Sequence, residues 1–127
     1  MNHHTVAGNL TADPEVQFTK AGKAVAHFTI AHAPRRLDRE SGSWVDGETI
    51  YLRCNAWGST GENIAESLHK GDRVIAAGSL IQRSYEDSAG VTRTVVELDV
   101  DEIGPTLRFS TTTSTPAKVV DAPAAAL

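Results

Sequence analysis

Thr49-Ile50-Tyr51-Leu52-Arg53-Cys54-Asn55-Ala56-Trp57, followed by Gly58 and the run from Ser59 to Gly71, is the stretch that decides the fold. Its first nine residues alternate in character with a period of two, the pattern of a half-buried β-strand. The next dozen read as one short helix. Ser59 stands where a cap belongs, Glu62 can complete a capping box, Ile64, Ala65 and Leu68 form an apolar stripe, and Gly71 can end the helix after His69 and Lys70. No second strand-helix pair follows, so a parallel α/β sheet is not indicated. Instead His4 to Leu10 and Val25 to Ala33 upstream, and Arg73 to Tyr85 and Thr92 to Ile103 downstream, read as further strands. Ala12-Asp13-Pro14, Lys20-Ala21-Gly22-Lys23, the long Pro34 to Glu48 segment and Glu86-Asp87-Ser88-Ala89-Gly90 separate them as turns and loops between antiparallel strands. Five strands with one short helix between the third and fourth suit a small closed all-β barrel, and are too few for a sandwich.

The 127 residues, 40% hydrophobic and 22% charged, leave room for one domain and an appendage. A domain over residues 1–109 is expected. Residues 110–127, opening Ser110-Thr111-Thr112-Thr113-Ser114-Thr115-Pro116 and finishing Ala-rich, are expected to be a flexible low-complexity tail. The opening Met1-Asn2-His3-His4-Thr5-Val6 lacks a basic segment followed by an apolar run, and no apolar stretch is long enough to cross a bilayer. The expectation is a soluble cytoplasmic protein with no membrane partner. A lone cysteine, Cys54, excludes an internal disulfide and a Cys-rich zinc site. The formal charge of −4 runs against a nucleic-acid binder, unless the basic residues are segregated along one groove.

Alternation puts Tyr51, Arg53, Asn55 and Trp57 on one side of their strand and Ile50, Leu52, Cys54 and Ala56 on the other. The second set supplies the core. The first forms a platform about 20 Å long at ~3.3 Å per residue, with an aromatic ring at each end and a guanidinium between. Unpaired bases stack on such rings whatever their sequence, while arginine meets phosphate or stacks itself. The alternative is that Tyr51 and Trp57 are core or subunit-contact aromatics, but Arg53 and Asn55 are costly to bury beside them. Arg83 and Tyr85 repeat the arginine-plus-aromatic theme before a hairpin loop, against the alternative of a solvated edge. In the Pro34 to Glu48 loop, Arg35 and Arg36 are the candidates for phosphate contacts, although Asp38, Glu40, Asp46 and Glu48 nearly cancel the loop's charge. Trp44 is read as anchoring that loop in preference to stacking on a base.

No catalytic constellation is expected. His3 and His4 are adjacent, His27 and His32 differ in strand parity, and neither pair supports a metal site. Cys54 faces the expected core, and no Gly-rich phosphate loop, nucleophile elbow or paired-carboxylate setting is present. No cofactor is expected.

Several blocks, in order, resemble the bacterial single-stranded DNA-binding protein (SSB) family. They are Ala7-Gly8-Asn9-Leu10-Thr11-Ala12-Asp13-Pro14-Glu15-Val16, Ala24-Val25-Ala26-His27-Phe28-Thr29-Ile30-Ala31, Leu52-Arg53-Cys54-Asn55-Ala56-Trp57-Gly58, Ile64 through Val74, and Gly78-Ser79-Leu80. The resemblance covers roughly Val6 to Ile103. It implies a five-stranded oligonucleotide-binding (OB) barrel, assembled as a homotetramer around which single-stranded DNA wraps without sequence preference, in replication, recombination or repair at the bacterial nucleoid. It implies base stacking by Tyr51, Trp57 and Tyr85, and basic positions along the DNA path at Arg53, Lys70 and Arg83. Where the family often has another aromatic after the second strand, this chain has Pro34-Arg35-Arg36.

The resemblance stops at the end of the chain. The family's acidic tip with a terminal phenylalanine, which recruits replication and repair enzymes, is replaced by Asp121-Ala122-Pro123-Ala124-Ala125-Ala126-Leu127, so such recruitment is not expected. A specialised paralogue or a mobile-element version fits that pattern. Two other readings remain: a dimeric replication-restart accessory, which oligomer mass would separate, and a protein-interaction barrel whose aromatic face docks a partner.

Overall fold

A computed structural model describes residues 2–117, and residues 118–127, with the divergent C-terminal ending, lie outside the described residues. Eight strands and one helix follow in the order β1 (His4–Leu10), β2 (Glu15–Phe18), β3 (Ala24–His32), β4 (Arg35–Leu37), β5 (Trp44–Asp46), β6 (Ile50–Trp57), α1 (Ser59–Ser67), β7 (Arg73–Glu86) and β8 (Thr92–Pro105). The five expected strands are β1, β3, β6, β7 and β8, each within two residues of its expected ends. They form the sheet β1-β7-β8-β6-β3, closed by a short β1–β3 pairing at Asn9↔Ala31 and Leu10↔Ile30. Closure makes these five strands a barrel, and β2 adds to β3 beside β1 as a short edge strand, Glu15↔His27 to Phe18↔Ala24. All pairings are antiparallel except β6 with β8, which meet in parallel at Cys54↔Leu98 and Asn55↔Asp99.

The barrel fills with the inward residues of the alternating strands. Phe28 and Ile30 of β3, Cys54 and Ala56 of β6, Val74 and Ala76 of β7 and Leu98 and Val100 of β8 are buried together with Leu10. Helix α1 closes one side of this core by packing on β3, with β6 and β2 at its flanks. Ile64 of the helix and Leu68 just past its end turn inward and are 3% and 4% exposed. Each fully buried Ile or Leu contributes about 1.5–3 kcal/mol, so the pair holds the helix more firmly than nine residues of helix propensity can.

Three local expectations are corrected. The helix is capped by Gly58 (φ 68°) with no side-chain cap, so Ser59 lies inside the helix and no capping box forms with Glu62. The chain turns so sharply from β6 into α1 that the cap position needs positive φ, which glycine supplies without strain. The helix also ends at Ser67, with Leu68 already extended, and Gly71 instead sits in the turn leading to β7. Lastly, the Pro34 to Glu48 segment contains a small hairpin, with Arg36 opposite Val45 and Leu37 opposite Trp44. Trp44 is 62% exposed on it and does not anchor the loop in the core. Residues 106–117 take up neither helix nor strand.

Candidate nucleic-acid interface

The outward side of β6 and the outward side of the β7–β8 hairpin meet because β6 lies against β8. Cys54↔Leu98 and Asn55↔Asp99 put the odd-numbered residues of both strands on one face, and Arg83↔Val95 and Tyr85↔Arg93 extend that face onto β7. An open groove of about 530 Å³ results, lined by Tyr51, Arg53, Arg83, Tyr85, Val95 and Glu97. Tyrosines 34 residues apart and arginines 30 apart thus meet on one concave surface. Tyr51 is 68% and Tyr85 45% exposed, although most tyrosines bury their rings.

Beneath the groove lies a carboxylate. Glu97 is 2% exposed, and Arg83 donates to both of its oxygens, Nε to Oε1 and Nη2 to Oε2, each at 3.0 Å. Arg53 Nε approaches Oε2 at 3.4 Å from the other side. Asn55 Nδ2 donates to Glu97 Oε1 at 3.0 Å and lies 3.4 Å from Asp99 Oδ1. That leaves Asn55 Oδ1 as an acceptor, filled by His27 Nδ1 at 2.7 Å, which must therefore carry the proton. No buried side-chain nitrogen or oxygen of this cluster is without a partner, as low-dielectric surroundings demand.

Arg83's hydrogen bonds hold the Glu97 carboxyl below the usual carboxylate range. Burial pushes the other way, and Asn55 and both arginines assist the lowering. A carboxyl lowered in the folded state contributes stability that is complete above its unfolded pKa and lost as the pH falls through the folded one. Acid titration is therefore expected to destabilise the protein below the ordinary carboxylate range. The Glu97→Gln variant should show a flatter acid limb in melting temperature against pH. An acid limb identical to the parent's would contradict this.

The structure does not gather all the expected site residues. Trp57 sits at the far end of β6, opposite Val25, 44% exposed and with the Lys23 ammonium 5.4 Å from its ring centre. Asn55 lies on the platform side as expected but is buried, 6% exposed, because it bridges β3, β6 and β8 under the arginines. Arg35 borders a neighbouring depression that shares Tyr51 with the groove and also holds Arg73, Arg108 and Phe109. Arg36 is exposed on β4, and Lys70 is exposed in the turn before β7, its backbone N–H bonded to Asp13 at 2.8 Å and apart from the groove's lining. A third depression shares Arg53 and continues past His27 and Thr29. Tyr51 and Arg53 thus each border the groove and one neighbouring depression.

Sequence reading missed Lys23, Glu97, Arg73, Arg108 and Phe109. Glu97, a charge amid Val95, Val96, Leu98 and Val100, was visible as a break in an apolar strand, but its partners were not. Cys54 is fully buried, and burial pushes its thiol up to about 12, so it is a protonated core residue at neutral pH. Among the described residues no three His, Cys, Asp or Glu side chains converge in a way that could hold a metal ion, and no helix is long and apolar enough to cross a membrane.

A closed five-stranded barrel with its helix between the third and fourth main strands is an oligonucleotide-binding fold. Among solved structures it is similar to "Plasmodium falciparum SSB complex with ssDNA", with a TM-score of 0.74 at 21% identity, 84% of this chain and 95% of that one being covered. Residues 1–106 match the Single-strand binding protein family. A "Single-stranded DNA-binding protein" of Mycolicibacterium smegmatis is 61% identical over 107 residues, which are 84% of this chain and 65% of that protein. "Single-stranded DNA-binding protein 2" of Streptomyces coelicolor is 56% identical over 107 residues and 54% of its own length. The chain spans 54% to 65% of these two relatives. It belongs to the Single-strand binding protein family.

Proposed function

We propose that this protein binds and protects single-stranded DNA without sequence preference, in replication, recombination or repair, with no chemical step of its own. The observation that carries the reading is the open groove in which Tyr51 and Tyr85 stand exposed beside Arg53 and Arg83. Exposed rings and guanidiniums along a groove are what an unpaired strand needs, because bases offer π-faces and the backbone offers phosphates. Family membership and the relatives' names support the same reading. Trp57 extends the stacking surface, Arg35 and Arg36 approach the backbone from the β4–β5 side, and Lys70 adds charge further off. Asn55 acts from below, by holding Glu97. Working as a homotetramer in the cytoplasm, at the nucleoid, follows from the same family. The negative total charge is no obstacle, since local potential decides and Arg53 and Arg83 against the single carboxylate of Glu97 leave the groove with a positive balance.

Titration with oligo(dT), followed by tryptophan fluorescence, tests this. Quenching by the single strand and not by a duplex of equal length is expected, with binding weakening as salt rises. Most of the quenching should vanish in Trp57→Ala, with Trp44→Ala reporting the share of the other indole. No binding at low salt would return the barrel to the protein-docking reading.

A further inference from the structure

The two groove arginines are not free cations waiting for phosphate. Both already lie on Glu97, which is 2% exposed while their own side chains are 50% and 55% exposed. A buried carboxylate with two guanidiniums on it cannot readily release them, because losing its partners leaves an uncompensated charge in the core. Arg83 is gripped through Nε and Nη2, so its Nη1 edge and its planar face are left for a ligand. The same guanidinium carbon lies 6.0 Å from the ring centre of Tyr85. Glu97 is itself held by Asn55, and Asn55 by His27, so the anchor reaches three strands deep.

We infer that Glu97 is a positioning residue for single-strand binding: its buried carboxylate fixes the guanidiniums of Arg83 and Arg53 as a rigid floor for the groove that Tyr51 and Tyr85 line. The inference rests on the proposed single-strand binding and adds to it a residue that touches no DNA. A long arginine side chain that must be ordered on binding loses rotamer freedom at that moment. One already clamped by a fork of two hydrogen bonds does not.

Two other roles for Glu97 make different predictions. As a mere competitor for phosphate, the carboxylate would weaken binding, and its neutralisation would strengthen it. As a simple structural pair, it would affect melting and leave affinity alone.

Glu97→Gln and Arg83→Lys, measured beside the parent protein by titration with fluorescently labelled oligo(dT) at several salt concentrations, separate these cases. Glutamine removes a negative charge but places an N–H₂ against an arginine donor, and lysine keeps the charge but cannot form the fork. Both variants are expected to bind roughly tenfold more weakly than the parent. For Arg83→Lys the plot of log affinity against log salt should be displaced with its slope unchanged, since the charge count is unaltered. Thermal melting establishes the folded fraction. Should Glu97→Gln fail to fold, Arg83→Lys, altered at a half-exposed side chain, decides alone. Tighter binding by Glu97→Gln, or parental affinity in folded Arg83→Lys, overturns the inference while leaving single-strand binding intact. Absence of binding by the parent protein removes both together and is recognised in the same titration.

Discussion

Replacing Tyr51 and Tyr85 together by alanine is expected to weaken oligo(dT) binding by about 2–6 kcal/mol, at least roughly thirtyfold, since each base–aromatic stack is worth ~1–3 kcal/mol. The two rings belong to different strands and share no hydrogen bond, so their effects should nearly add. Neither substitution should harm the barrel. Both side chains are largely exposed, and surface changes of this kind usually stay within about ±0.5 kcal/mol. Fluorescence anisotropy of a labelled oligo(dT), with melting curves of each variant, measures both quantities. A loss smaller than about threefold in the folded double variant would mean that the groove is not the stacking surface.

Gly78→Ala is expected to be the most damaging small substitution in the chain. At the Ala77/Gly78 irregularity in the β7–β8 ladder, the backbone of β8 crosses against Gly78, and an added Cβ would overlap the carbonyl oxygen of Asp99 while standing 3.0 Å from Val100 Cα. Backbone on the facing strand cannot rotate away as a side chain can. The strands must part, and with them the Leu98 and Val100 side of the core. A loss of about 3 kcal/mol or more follows, a drop in melting temperature of at least ~12 °C for a domain of this size. Gly104→Ala, on the same strand pair but with nothing within 4 Å of its Cβ position, is the control and should melt close to the parent. Equal melting of the two variants would show that the crossing is not tight.

Much of this architecture was legible because it is written locally. A period of two in Ile50 to Trp57 separates an inner Cys54 and Ala56 from an outer Tyr51 and Arg53, whatever the strand pairs with. The short strands were not legible: β2 has four residues, β4 and β5 three each, too few for a periodicity to declare itself. The capping box failed for a different reason. Ser59 and Glu62 have the right spacing, but the turn from β6 needs positive φ at the residue before, and tertiary geometry chose Gly58.

Asn55 marks the boundary between the two kinds of knowledge. Strand alternation correctly assigns its side of β6, and says nothing of what covers it. Its burial depends on Glu97, 42 residues away, arriving through the parallel β6–β8 pairing, and a one-residue slip in that register would turn Glu97 to the opposite face. The amino-acid sequence by itself determined the five main strands, the helix, the inward core residues apart from Ile50, which the structure leaves 54% exposed at the end of β6, and the outward aromatic-and-arginine set, because each follows from periodicity and turn chemistry within a few residues. Only the tertiary structure decided that Tyr51 and Tyr85 share one groove, that Arg53 and Arg83 meet on a buried carboxylate, and that Trp57 and Lys70 stand apart from it. Those facts depend on barrel closure and strand register, which are set by the packing of the whole core and not by any one stretch of chain.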